Sequence, residues 1–167
     1  KISIDSTGEG LHKRGYKSYT GKAPIRETLA AAFLRMCNFD PSEPLIDPMC
    51  GSGTFVIEAA EISVGMTPGR KRAFTFQKLK SFDSELFKIL TSNYKMVPKL
   101  ESTFFGYDRD NGAIKNSMQN AHAANVSHIT NFNSQSISDL VPLSNDRGLI
   151  ILNLSLIHIS EPTRRRG

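Results

Sequence analysis

The sequence has few cysteines and lacks a long apolar run. Cys37 and Cys50 are its two cysteines, and neither their number nor their spacing predicts a disulfide framework or a zinc site. No apolar run approaches the roughly 20 residues needed to cross a bilayer, and no basic region precedes a long apolar stretch at the N-terminus. We therefore expect a cytoplasmic protein in a reducing setting, with neither a membrane nor a metal among its partners.

The size and charge of the chain are compatible with one globular domain. Its 167 residues are 39% hydrophobic and 22% charged, which is enough apolar material for a core. Lysine and arginine number 21 against 16 acids, and the formal charge of +5 allows a polyanionic partner without requiring one. Residues 1–5 alternate like the middle of a strand and include no initiator methionine, so we expect the chain to begin inside a longer protein.

The N-terminal third predicts a basic loop followed by a helix. Glycine-punctuated residues 1–22 predict a strand, a turn and an ordered loop that leads into the domain. From Ala23 onward, apolar residues recur at helical spacing, with Pro24 suited to the first turn. The predicted buried face of this helix consists of Ile25, Leu29, Ala32, Phe33 and Met36.

Four short apolar runs predict strands. They are residues 44–47, 103–108, 128–132 and 148–153. Helical patterns follow the first two runs, and residues 66–103 are interpreted as an insertion. The continuous apolar character of the last run predicts burial on both faces. Strands that alternate with helices predict an α/β fold with a doubly wound, mostly parallel sheet. On the helix predicted after the second run, the expected buried face is Ile114, Met118, Ala121 and Ala124.

The most informative segment is the glycine loop, residues 47–54, which lies between a predicted strand and a predicted helix. Gly51 and Gly53 let the backbone approach a ligand closely, and the following helix presents free amides at its start. A dinucleotide fingerprint needs a third glycine where this chain has Ile57, and no P-loop lysine is present. Asp108 ends the next strand and can accept both hydroxyls of a ribose. The pattern therefore favours a nucleoside ligand that lacks a pyrophosphate.

Three blocks resemble the class I methyltransferases that use S-adenosylmethionine, and within them the THUMP-associated ribosomal RNA guanine methyltransferases. The blocks are residues 5–16, 23–32 and 47–60, and the resemblance extends over about residues 1–153. It implies a Rossmann-like fold of which this chain supplies the first four strands, with residues 23–153 as the N-terminal part of the catalytic domain. The implied reaction is methyl transfer to the exocyclic 2-amino group of a guanine in 23S ribosomal RNA.

The resemblance also implies roles for individual residues. Asn153 would be catalytic, because the family places an Asn-Pro-Pro-Tyr motif after the fourth strand. Here Leu154-Ser-Leu156 follow Asn153, and residues 154–167 match nothing in the family, so we expect this tail not to be native. The residues implied for binding S-adenosylmethionine are Asp47, Pro48, Cys50, Gly51, Gly53, Thr54, Asp108 and Ser136.

Cations beside aromatic rings mark candidate RNA-binding residues. These are Lys13, Arg14 and Tyr16 in the N-terminal loop, with Arg70 and Arg72 in the insertion. A solvated basic surface accounts for both groups equally well.

Several alternatives stay open at this point. A transfer RNA guanine or DNA adenine amino methyltransferase would share the cofactor loop, and a non-catalytic nucleic-acid-binding remnant is favoured by residues 154–156. A nicotinamide-dependent oxidoreductase is disfavoured by the missing third glycine. Cys50 as a nucleophile would need a base such as His12 or His122, so packing within the turn is the favoured interpretation.

Overall fold

The structure is a computed structural model that describes residues 1–18, 24–92, 104–141 and 147–153. The expected non-native tail, residues 154–167, and the last part of the expected insertion, residues 93–103, lie outside the described residues. The described elements are α1 (Glu27–Met36), β1 (Leu45–Asp47), α2 (Thr54–Ser63), a 3-10 helix (Thr75–Lys78), α3 (Ser84–Ser92), β2 (Phe104–Asp108), α4 (Asn111–Ala124), β3 (Thr130–Ser134), a 3-10 helix (Ile137–Asp139) and β4 (Leu149–Ile150).

The four strands form one parallel sheet in the order β3-β2-β1-β4. Ile46 on β1 pairs with Phe105 on one side and with Ile150 on the other. The chain therefore runs outward from β1 to β3 and then returns to the opposite side of β1 for β4. In such a sheet a ligand binds where the winding direction reverses, beyond the carboxyl ends of β1 and β4. The predicted α/β fold with a doubly wound parallel sheet is confirmed.

Helix α2 lies at the centre of the core. Val56, Ile57, Ala59 and Ala60 are fully buried, and α2 packs against α1, α4 and the sheet. Nearly every residue of α2 is buried, so the helix is covered on all sides. Full burial of a side chain such as Val56 or Ile57 contributes about 1.5–3 kcal/mol. The helix that follows the glycine loop is thus fixed by the core.

The predicted buried face of α1 is wrong. The structure buries Ala30 and Leu34, whereas Leu29 is exposed and Met36 is 76% exposed. The small side chain of Ala30 lies on the face that packs against α2. Close packing against α2, rather than the number of apolar residues on a face, therefore determines which side of α1 is buried.

On α4 the prediction is only partly correct. Ile114, Ala121 and Ala124 are buried as expected, but Met118 is exposed. Ser117 and Asn120 of the same helix are buried instead, and both side chains donate hydrogen bonds to the glycine loop.

Three strand predictions differ from the structure. Residues 1–5 form no strand and expose Ile2 and Ile4. The third strand lies two residues later than predicted, at Thr130–Ser134. The fourth is reduced to Leu149–Ile150, and Ile150 is 61% exposed rather than buried on both faces. Within the described residues β4 pairs only with β1, so its outer side is an open edge.

Candidate functional site

The glycine loop connects β1 to α2 through two residues with left-handed backbone. Gly51 has φ 53° and Gly53 has φ 79°, a region that glycine enters without strain. The backbone N–H of Cys50 donates to the carbonyl of Tyr107 at 2.8 Å, and that of Gly53 donates to the carbonyl of Cys50 at 2.8 Å. The loop is therefore anchored to β2 and presents the N-terminus of a buried helix at the carboxyl edge of the sheet.

Gly53 is required for packing as well as for its backbone conformation. A Cβ atom at this position would lie 2.9 Å from a ring carbon of Phe132 and 3.0 Å from the Cβ of Ser117. We expect Gly53→Ala to lower the free energy of unfolding by about 2–4 kcal/mol, because left-handed strain and overpacking add. Urea denaturation monitored by circular dichroism measures this loss.

Gly51 supplies the matched control for that prediction. A Cβ atom there would meet no atom of the described residues within 4 Å, although its φ is also positive. Gly51→Ala should therefore cost only the backbone strain, about 1–2 kcal/mol. Equal losses in the two variants would contradict the packing account of Gly53.

Asp47 ends β1 as a buried carboxyl, only 2% exposed. Burial raises its pKa to about 7; the backbone N–H of Met49, 3.1 Å from Oδ1, opposes this rise and the charge of Asp108 adds to it. None of the ion pairs in the described part of the chain includes Asp47. A ligand that brings a positive charge to this site would stabilise the ionised carboxylate.

Asp108 ends β2 beside the loop. Its Oδ2 accepts the backbone N–H of Gly51 at 3.0 Å, and its Oδ1 accepts that of Asp110 at 2.9 Å. A carboxylate oxygen has more than one lone pair, so both oxygens retain the capacity to accept a ligand hydroxyl. Asp108 thus ties the glycine loop to β2 and can still bind polar groups of a ligand.

Cys50 is a buried thiol within the loop. Its Sγ lies 3.9 Å from Ser117 Oγ, and burial raises the pKa of the thiol far above neutral pH. A neutral, buried thiol is a poor nucleophile, which supports the packing interpretation of this residue.

The other residues predicted for the site also follow strand ends. Asn153 is exposed and lies just beyond β4, which is held to β1 by the N–H of Ile151 donating to Ile46 O at 3.0 Å. Ser136 follows β3 and caps a 3-10 helix. The residues placed at or just beyond the carboxyl ends of the strands are Asp47, Pro48, Cys50, Gly51, Gly53, Thr54, Asp108, Ser136 and Asn153.

Two of the five candidate RNA-binding residues are buried. Arg14 is 5% exposed and donates twice to the Glu58 carboxylate, at 3.2 and 3.0 Å, while the fully buried Tyr16 donates to it at 3.1 Å. The prediction that Arg14 and Tyr16 contact RNA is corrected by this burial, because Glu58 takes their donors inside the protein. Lys13 remains exposed and pairs with Glu9 at 3.1 Å.

Arg70 and Arg72 attach the insertion to the rest of the domain. Arg70 forms an ion pair with the buried Glu61. Arg72 donates to the carbonyl of Thr7 at 2.8 Å, and its guanidinium lies 4.9 Å from the ring centroid of Phe74. Both arginines are half-buried, so only part of each guanidinium is open to a ligand.

Sequence reasoning missed two residues that shape the loop. Ser117 Oγ donates to Gly51 O at 2.7 Å, and Asn120 Nδ2 donates to Ser52 O at 3.1 Å. Both side chains are fully buried on the inner face of α4. The available signal was a pair of polar residues, three apart, on an otherwise apolar helix face.

The described ranges contain neither a candidate metal cluster nor a membrane-spanning helix. They contain no group of three or more histidine, cysteine, aspartate or glutamate side chains that could hold a metal ion. No helix in them is long and apolar enough to cross a membrane.

Comparison with known proteins identifies the family. Residues 14–155 match the UPF0020 family model, described as the RMKL-like methyltransferase domain. The chain belongs to this family. Over 159 residues it is 40% identical to the ribosomal RNA large subunit methyltransferase K/L of Vibrio campbellii, an alignment that covers 91% of this chain and 22% of that protein. The chain thus spans about a fifth of the length of the curated relatives it matches.

Solved structures of methyltransferases share the fold of this UPF0020 chain. SMU.472, described as a methyltransferase and complexed with SAH, is 30% identical with a TM-score of 0.81, over 90% of this chain and 39% of that one. A protein from Listeria monocytogenes, described as an N6-adenine-specific DNA methylase, is 30% identical with a TM-score of 0.78, over 88% and 39% of the two chains. The predicted Rossmann-like methyltransferase fold is confirmed.

Proposed function

We propose that this chain is the cofactor-binding part of an RNA methyltransferase that transfers a methyl group from S-adenosylmethionine to the exocyclic 2-amino group of a guanine in 23S ribosomal RNA. The observation that carries the proposal is that Asp47, the glycine loop and Asp108 meet beyond two adjacent parallel strands in a chain of the methyltransferase family. The name of the curated relatives supports large-subunit ribosomal RNA as the substrate.

The residues of the site fit S-adenosylmethionine in space and charge. Beside Gly51, a Cβ atom would meet nothing within 4 Å in the part of the chain that the structure describes, which leaves space there for a ligand. The cofactor carries positive charge at its sulfonium and its ammonium group. This charge suits Asp47, which is buried and forms no ion pair with any described residue. We assign the methionine end to Asp47, Pro48, Cys50, Gly51, Gly53 and Thr54, the ribose to Asp108 and the adenine end to Ser136.

Positioning would be the main contribution of the protein to the reaction. When bound, the cofactor supplies an electrophilic methyl group on a positively charged sulfur. Asn153, just beyond β4 and therefore next to the end of β1, would accept a hydrogen bond from the guanine amine and aim the nitrogen lone pair at that methyl group. Holding the two reactants in line replaces a bimolecular encounter by a near-unimolecular step.

We propose ribosomal RNA as the macromolecular partner, which places the protein in the cytoplasm. Lys13 is the candidate cation of the N-terminal loop that stays exposed, while Arg70 and Arg72 offer at most part of their surface to RNA. In this proposal residues 1–22 lead into the domain, residues 23–153 are the N-terminal part of the methyltransferase domain with residues 66–103 inserted, and residues 154–167 are not native.

Deletion of the gene tests the substrate. We expect loss of one 2-methylguanosine from 23S ribosomal RNA, detected by nuclease digestion and mass spectrometry, with transfer RNA and genomic DNA unchanged. Restoration by the intact gene, but not by a gene that encodes Asn153→Ala, ties the loss to the site described above. A complete set of 23S modifications in the deletion strain would contradict the proposal.

A DNA adenine amino methyltransferase is the second candidate. The observation that favours it is the structural likeness to the Listeria monocytogenes protein described as an N6-adenine-specific DNA methylase. Loss of N6-methyladenine from genomic DNA in the same deletion strain would select this candidate over the first.

A further inference from the structure

Two buried polar side chains of α4 hold consecutive carbonyls of the glycine loop. Ser117 bonds to Gly51 O and Asn120 bonds to Ser52 O, as described above. Burial of a hydroxyl and an amide costs free energy unless both are hydrogen-bonded, and an apolar side chain would suffice to pack α4 against the sheet. Their presence on this helix face therefore points to the loop that they contact.

These two bonds set the orientation of two successive peptide planes. In a trans peptide the C=O and the following N–H point in opposite directions. Because Gly51 O is directed at α4, the N–H of Ser52 is directed away from α4. Because Ser52 O is also directed at α4, the N–H of Gly53 turns away and donates to Cys50 O at 2.8 Å. The direction of the loop amides is thus determined by α4.

We propose that Ser117 and Asn120 are positioning residues for S-adenosylmethionine, which hold the glycine loop in its binding conformation before the cofactor arrives. The inference rests on the proposed function, because it takes this loop as the cofactor site. Both residues act through the loop backbone. Without their bonds the loop samples other peptide orientations, and binding must then include the free energy of ordering it.

Ser117 offers a mild way to remove one of the bonds. Its hydroxyl carries a single proton, yet it lies 2.7 Å from Gly51 O and 2.9 Å from Ala113 O. The second contact is the bond that a helical serine makes to the preceding turn, and α4 does not depend on it. Ser117→Ala therefore removes the loop bond while the helix and its packing remain.

The test compares cofactor affinity with thermal stability in the complete gene product. At a temperature well below that of melting, we expect Ser117→Ala to raise the Kd for S-adenosylmethionine, measured by calorimetry, about fivefold. Asn120→Asp keeps the side-chain size but places an oxygen against Ser52 O, and it should raise the Kd about tenfold. The rate at saturating cofactor should stay within about twofold, since the bound loop is the same.

Ile114→Val is the matched control on α4. The substitution removes one buried methylene group, so it should lower the melting temperature. The side chain at this position cannot form a hydrogen bond with the loop, so the Kd should be unchanged. The inference is overturned if Ser117→Ala binds the cofactor as tightly as the unsubstituted protein, or if Ile114→Val weakens binding equally. Absence of binding to the unsubstituted protein, measured first, would overturn the proposed function and this inference with it.

Discussion

Replacement of Asp47 by asparagine is expected to weaken S-adenosylmethionine binding by about 10–100-fold and to make the folded protein more stable. A buried carboxylate forms a charge-assisted contact with a cationic ligand. When no such ligand is bound, burial of the carboxylate costs free energy. The pKa of Asp47 is raised from 3.8 to about 7 by burial. The folded protein therefore holds a proton that the unfolded chain has released between these pH values. Its free energy of unfolding should fall as pH rises from about 4 to 7 and level off above 7.

Asp47→Asn has no such titration. It should exceed the unsubstituted protein in stability by about 2–4 kcal/mol at pH 8, and by less at pH 5. Affinity of the unsubstituted protein for the cofactor should rise as pH increases through 7, since the ionised carboxylate is the form that attracts the cation. Urea denaturation at the two pH values and calorimetric titrations from pH 6 to pH 8 measure both effects.

Asp83→Asn is the control for these titrations. Asp83 is exposed and accepts the backbone N–H groups of Glu85 and Leu86 at the start of α3, a role that asparagine can retain. Affinity and stability should be unchanged. If Asp47→Asn binds the cofactor as tightly as the unsubstituted protein at pH 8, Asp47 does not face a cationic ligand.

Arg14→Met is expected to lower the free energy of unfolding by about 3–5 kcal/mol, because it leaves the Glu58 carboxylate buried without its cation. Burial raises the pKa of Glu58, although the hydrogen bond and charge of Arg14 oppose this rise. Without Arg14 the folded-state pKa rises further, so protonation relieves the loss. The destabilisation should be larger at pH 8 than at pH 5, as measured by urea denaturation.

Two further variants separate this ion pair from general packing. Lys13→Met removes the neighbouring exposed cation and should change stability by less than about 0.5 kcal/mol. The double variant Arg14→Met with Glu58→Gln should recover most of the loss, because it removes the carboxylate that lost its cation and keeps an acceptor for the Tyr16 hydroxyl. A double variant as unstable as Arg14→Met would assign the effect to lost packing rather than to the charge of Glu58.

The parts of the fold that the sequence predicts are those with local signals. The strand that ends at Asp47, the glycine loop and α2 form one continuous segment in which each element has its own signature. The sequence places Asp108 at the end of the next strand. Because parallel strands have their carboxyl ends at one edge of a sheet, Asp108 lies beside the loop.

The parts that the sequence did not predict depend on distant contacts. The buried face of α1 is selected by α2, and the exposure of Ile150 follows from its edge position in the described sheet. From the local sequence, Arg14 and Tyr16 are typical of surface residues. Their partner in the core, Glu58, lies 44 residues after Arg14 and 42 residues after Tyr16. Spacing in one segment carries no information about such partners.

Methyl transfer in vitro tests the central claim most directly. The complete gene product is incubated with S-adenosylmethionine labelled in its methyl group and with 23S ribosomal RNA, transfer RNA and genomic DNA from the deletion strain. The labelled nucleic acid is separated, and its labelled nucleoside is identified by mass spectrometry. We predict label in 2-methylguanosine at one position of 23S ribosomal RNA, and loss of this label with Asp47→Ala. Label in adenine N6, in transfer RNA alone, or in no nucleic acid would contradict the account.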